Sequence, residues 1–169
     1  MNKAAKRALA ATALAAALGL AAGCSATDLV SNVIPNVDVE DDGSVTITDD
    51  SGGSVTVEGG EGTTIPEWFA TDMPLPDNHV VVNSTSIESD GETLKAMNVT
   101  STDDFDTVVA SIDDGLADVG ITPESRDIAE GMGMRSATFV VMIADQKWNV
   151  TVSDMGGEGE VAVTYMTGA

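Results

Sequence analysis

The run "WNVTVSD" at residues 148–154 alternates Trp148, Val150 and Val152 with Asn149, Thr151 and Ser153. "EVAVTYMT" at residues 160–167 repeats the pattern, setting Val161, Val163 and Tyr165 against Ala162, Thr164 and Met166. A period of two sends successive side chains to opposite sides of an extended chain, so each run reads as a strand with one buried and one wetter face. "SATFVVMIA" at residues 136–144, "VVVNSTSIE" at 80–88 and "ETLKAMNVTS" at 92–101 are also strand-like. The last two meet around Ser89-Asp90-Gly91, a hairpin signal.

Between these runs the period changes once. In "STDDFDTVVASIDDGLADVG" the residues Phe105, Val108, Val109, Ile112, Leu116 and Val119 fall on one helical stripe. Ser101 or Thr102 is placed to cap this helix, Asp103 and Asp104 suit its positive end, and Gly120 can stop it. The following "ITPESRDIAEGMGM" reads as a connection holding at most a short helical turn. The expected fold is therefore α+β. It is a mostly antiparallel five-stranded sheet in the order β-β-α-β-β-β, with one amphipathic helix packed on one face.

The start of the chain obeys different rules. Lys3, Lys6 and Arg7 precede an uncharged, Ala/Leu-dominated run that ends on small residues, the order of an export signal. The run is shorter than the roughly 20 residues a helix needs to cross a bilayer. Its end, Leu20-Ala21-Ala22-Gly23-Cys24, resembles the bacterial lipobox, with Ala21 where that signature favours Leu. The resemblance implies cleavage after residue 23 and lipidation of Cys24, the only cysteine of the chain. Two or three acyl chains on one residue would bind a membrane almost irreversibly, since each buried methylene contributes about 0.8 kcal/mol. With that sulfur used, no cysteine is left for a disulfide, and the exported domain must be held by its core alone.

Asp and Glu number 28 against 7 Lys and Arg, for a net charge of −21. Loss of residues 1–23 removes Lys3, Lys6 and Arg7 and no acid, so the mature chain is more negative still. Such a field repels phosphate backbones and anionic lipid surfaces, which excludes nucleic acid as an expected partner.

Composition divides the rest into an acidic, Gly/Ser/Thr-rich tether at residues 24–64 and a folded module at 65–169. Within the tether "GSVTI" at 43–47 recurs as "GSVTV" at 53–57, on either side of a turn-like "DDSGG". A hairpin over 44–58 is expected, loose unless it docks on the module, because two strands alone are marginal in water. Asp38, Glu40, Asp42 and Asp49 have the spacing of a calcium loop. Their surroundings oppose it, because Pro35 and the β-branched residues do not make the flanking helices such a loop needs. Asp50-Ser51-Gly52 echoes the aspartic-protease triplet, but a Gly-rich turn does not build the rigid buried cleft that paired carboxylates require.

The module opens with "IPEWFATDMPLPDNHVVV" at residues 65–82, which should run extended while Trp68 and Phe69 plug an apolar edge. Ile65, Pro66, Phe69, Asp72, Pro74, Leu75 and Pro76 resemble the segment that follows the tether in small uncharacterised lipoproteins of actinobacteria, with Ala70 where that group often has Pro. The resemblance covers the signal, the tether and this segment, and it implies no activity.

No set of residues in the chain composes a catalytic site. His79 is the only histidine, and neither a GxSxG elbow nor a free catalytic cysteine accompanies it. Met132 and Met134, in "GMGM", bear thioethers of the kind that select monovalent copper, although Met97 and Met142 lie in strands where methionine simply fills a core. The Asn-x-Thr triplets at Asn83, Asn98 and Asn149 lie in strand-like runs rich in Thr. The expected role is therefore a non-catalytic interaction module without a cofactor. It would be monomeric, held on the extracytoplasmic face of the cell membrane through Cys24, and directed at an envelope protein or wall component. The alternative is capture of a cation or small ligand, calcium by the acidic tether or cuprous ion by methionines.

Overall fold

The structure is a computed structural model and describes residues 36–40, 43–49, 52–60, 63–131, 133–154 and 159–168. The signal and Cys24 lie outside the described residues. Among these residues nine strands and one helix follow in chain order: β1 (Val37–Val39), β2 (Val45–Thr48), β3 (Ser54–Gly59), β4 (His79–Ser89), β5 (Glu92–Ser101), α1 (Phe105–Asp118), β6 (Ser125–Gly131), β7 (Met134–Ile143), β8 (Gln146–Asp154) and β9 (Val161–Gly168). All strands join one sheet of order β1-β2-β3-β4-β5-β9-β8-β7-β6, and every ladder is antiparallel.

The expected five-stranded sheet with a helix packed on one face is thus corrected to a nine-stranded antiparallel sheet carrying one helix. The stretch read as a flexible tether supplies three of the additional strands. Its hairpin is docked: β3 pairs with β2 on one side and, along its whole length, with β4 on the other, from Ser54 opposite Glu88 to Gly59 opposite Asn83. The fourth addition is β6, which lies in the stretch read as a connection. All seven of its residues are exposed, and it stands at the edge of the sheet with β7 as its only strand neighbour. An edge with no buried face has no apolar alternation to read. Its Arg126, Asp127 and Glu130 are the kind of charges that blunt an edge against further pairing.

One face of β5, β9, β8 and β7 carries the core. Met97, Val99, Ala137, Phe139, Val141, Trp148, Val150, Val152, Val163 and Tyr165 are fully buried there, and α1 adds Phe105, Val108, Val109, Ile112 and Leu116 to the same cluster. Asp104, rather than Ser101 or Thr102, caps the helix: its carboxylate accepts from the Thr107 backbone N–H at 3.0 Å and from the Thr107 hydroxyl at 2.8 Å. Val119, read as the end of the apolar stripe, is instead the C-cap and is exposed. The lead-in segment crosses the same side of the sheet. Trp68 stacks on Trp148 at 6.2 Å between ring centroids, and Phe69 meets the edges of Trp148 at 5.6 Å and Tyr165 at 5.1 Å.

Two hairpins turn on two left-handed residues each: Asp90 and Gly91 between β4 and β5, and Ala144 and Asp145 between β7 and β8. Positive φ at both central positions matches the right-handed twist of the flanking strands.

Candidate functional site

A bulge in β4 decides what the far side of the sheet presents. Val81 pairs with Val99 on the core face, but the register then slips by one residue, so that Asn83 meets Asn98 and Ser84 meets Met97. An extra residue in one strand reverses every side chain beyond it. After Val82, the polar residues Ser84, Ser86 and Glu88 of β4 face the core side, and Thr85 and Ile87 face away from it. The strands added beyond β4 follow this reversed setting. Val55 pairs with Ile87 and Val57 with Thr85, Ile47 with Val55 and Val45 with Val57, Val37 with Ile47 and Val39 with Val45.

The result is an apolar quilt on the face opposite the core. Val37, Val39, Val45, Ile47, Val55, Val57 and Ile87 continue through Leu94 and Ala96 of β5 to Met166 of β9. The first seven are half-buried, and Leu94 and Met166 are 42% and 37% exposed. Among the described residues, the elements that cover the sheet, α1 and the lead-in segment, both pack on the other face. A shallow depression of about 310 Å³ lies at the border of the quilt, where Ile87, Leu94, Met166 and Gly168 meet Glu92, Lys147 and Asn149.

Beside the quilt runs a polar row. Asn98 Nδ2 donates to Asn83 Oδ1 at 2.8 Å, and the Thr164 hydroxyl donates to Asn98 Oδ1 at 2.7 Å. The row continues through Thr151 and Thr138 on the neighbouring strands. The amides and hydroxyls of this row are neutral. Within the strands, the charged residues on this face are Glu92, Asp127 and Lys147, and all three sit at its rim, beside turns or on the edge strand. The other acidic and basic strand residues, among them Asp38, Glu58, Glu88, Lys95, Arg126, Glu130, Arg135 and Asp154, project to the opposite side. Among the described residues, a face this poor in charge stands out on a chain of net charge −21.

The residues singled out from sequence are dispersed. Asp38 lies in β1 opposite Thr46, and Glu40 closes the β1–β2 turn, its carbonyl accepting from Gly43 N–H at 3.0 Å. Asp49 shapes the β2–β3 turn, where its carboxylate accepts from Gly53 N–H at 2.8 Å. Asp42, Met132 and Cys24 lie outside the described residues. Met134 starts β7 and is exposed. No group of three or more His, Cys, Asp or Glu that could hold a metal ion forms among the described residues. His79 begins β4, its Nδ1 donating to the Pro76 carbonyl at 2.6 Å.

Sequence reasoning missed the open face as a unit. The three Asn-x-Thr triplets were its trace, since Asn83, Asn98 and Asn149 all belong to it. Comparison of the chain with protein-family models, with curated proteins and with solved structures finds no match. No helix among the described residues is long and apolar enough to cross a membrane.

Proposed function

We propose that this chain is an extracytoplasmic lipoprotein, anchored to the cell membrane through Cys24, whose folded domain is a non-catalytic interaction module. The open, nearly uncharged sheet face carries this reading. A contiguous apolar surface costs free energy in water, by about 25 cal/mol for each Å² left exposed, and its persistence on a soluble-looking domain marks a place where another surface is received. The lipobox-like Leu20–Cys24 supports the anchor, and the charge of the remainder keeps the domain off anionic surfaces.

Two measurements test the reading. Intact mass of the mature N-terminus should show a diacylated or triacylated Cys24, and Cys24→Ser should move the protein from the detergent phase to the aqueous phase. A photo-crosslinking residue at Met166, on the open face, should give adducts in intact membranes, whereas one at Thr56, on the opposite face of β3, should not. Equal yields from both positions would remove the face from consideration, and an unmodified sulfur would remove the anchor.

A further inference from the structure

We infer that the occupant of the open face is a second copy of this chain, two sheets packing quilt to quilt about a two-fold axis. The inference rests on reading that face as a contact surface, and it replaces the monomer expected from sequence.

Charge selects the occupant. A basic partner would draw its affinity from carboxylates, and carboxylates are what this face lacks, since its strand residues are neutral except for Glu92, Asp127 and Lys147 at the rim. Two copies of a chain with net charge −21 repel wherever acid meets acid. Stacked sheets lie about 10 Å apart. In a quilt-to-quilt pair the acids on the two outer faces are separated by both sheets and the gap, on the order of 20 Å, well beyond the screening length of about 8 Å at physiological salt. This face is the approach on which a like-charged copy meets neutral side chains.

Area and symmetry agree with that choice. Strands spaced about 4.8 Å apart make the six strands β1 to β5 and β9 about 29 Å wide, and two or three rows of side chains extend about 17 Å along them. That is about 500 Å² per copy and about 1,000 Å² for the pair, the lower bound for a specific interface. An axis over β3 lets Val45, Val55, Val57 and Ile87 interdigitate with their own counterparts, as an isologous contact requires. An interface of that size is weak in solution and gains from anchoring of both copies in one membrane, which raises their effective concentration.

The test is the molar mass of the full processed chain, extracted in mild detergent, by light scattering over a dilution series at low and high salt. The expected result is a monomer–dimer equilibrium that tightens as salt rises, because screening relieves like-charge repulsion. Val55→Glu with Leu94→Glu should weaken the dimer roughly tenfold or more, since each copy then buries two unpaired carboxylates. Thr56→Glu, on the opposite face, should leave it intact. Circular dichroism establishes that each variant is folded, and Leu94→Ser serves if the double variant is not. A monomer at every concentration and salt, or a dimer indifferent to folded Val55→Glu/Leu94→Glu, overturns the inference. If the Met166 crosslinker then captures a different envelope protein, self-association falls and the contact-face reading stands. If it captures nothing, both fall.

Discussion

The Tyr165 hydroxyl donates to the Pro74 carbonyl oxygen at 2.9 Å, tying the last strand to the lead-in segment across 91 residues of sequence. Burial pushes the phenol well above its ordinary value, so the group keeps its proton and remains a donor at physiological pH. Tyr165→Phe should leave the Pro74 oxygen without this partner and destabilise the domain by about 1–3 kcal/mol, read by urea denaturation. The raised value also sets a sign. Above pH 10.0, the ordinary value for tyrosine, the unfolded chain loses this proton before the folded one does, so the wild type should lose stability there and the Phe variant should lose less.

Gly115 lies in the interior of α1, where Ala would stabilise an isolated helix by roughly 1 kcal/mol. Here a Cβ would come within 2.5 Å of the Pro74 Cβ. Gly115→Ala should therefore destabilise the fold, by about 1–3 kcal/mol as an overpacked contact. A thermal midpoint higher than that of the wild type would show that Pro74 is not held against the helix.

Arg135 forks onto Asp106, donating to its two carboxylate oxygens at 3.0 and 2.7 Å, and reaches Glu130 at 2.9 Å. The guanidinium holds the Asp106 carboxyl below its ordinary value, and the Thr107 backbone N–H, then its hydroxyl, do the same for Asp104 at the helix cap. A depressed carboxyl stabilises above its unfolded value, 3.8 for Asp, and loses that contribution as pH falls through the lower folded value. Melting curves from neutral pH downward should show Asp106→Asn less stable than wild type at pH 6, with the gap closing as pH falls below about 4. The gap should be small and should shrink with salt, since the pair is exposed.

Residues 54–57 are paired on both sides, with β2 and with β4. Their amides should exchange with solvent far more slowly than those of an isolated hairpin. Val57→Pro, which removes a donor inside a doubly paired strand, should deprotect β1, β2 and β3 together while leaving β7 to β9 protected. Exchange within seconds in the wild type would return the segment to a tether.

Much of the core was legible in the chain. Alternation at 148–154 and 160–167 identified β8, β9 and the buried set of Trp148, Val150, Val152, Val163 and Tyr165, and the helical stripe from Phe105 to Leu116 identified α1. These patterns survive because a residue with one buried face must be apolar at every second or every third to fourth position. The edge strand β6 left no such trace, having no buried face. The repeats at 43–47 and 53–57 showed a hairpin but not its neighbour, because pairing with β4 is a contact between segments distant in sequence.

Apart from the trace left by the Asn-x-Thr triplets, the open face belongs to the tertiary structure. Alternation tells which residues share a side of one strand, and it cannot tell which side of one strand aligns with which side of the next. That alignment turned on a single extra residue, Val82, whose bulge sends Ile87 and the valines of β1 to β3 away from the core. The sequence by itself determined seven of the nine described strands, the helix, the acidity and the lipobox-like setting of Cys24. Only the register between strands, a cooperative property of backbone hydrogen bonds across the whole sheet, decided that so many aliphatic side chains would gather on a surface rather than inside.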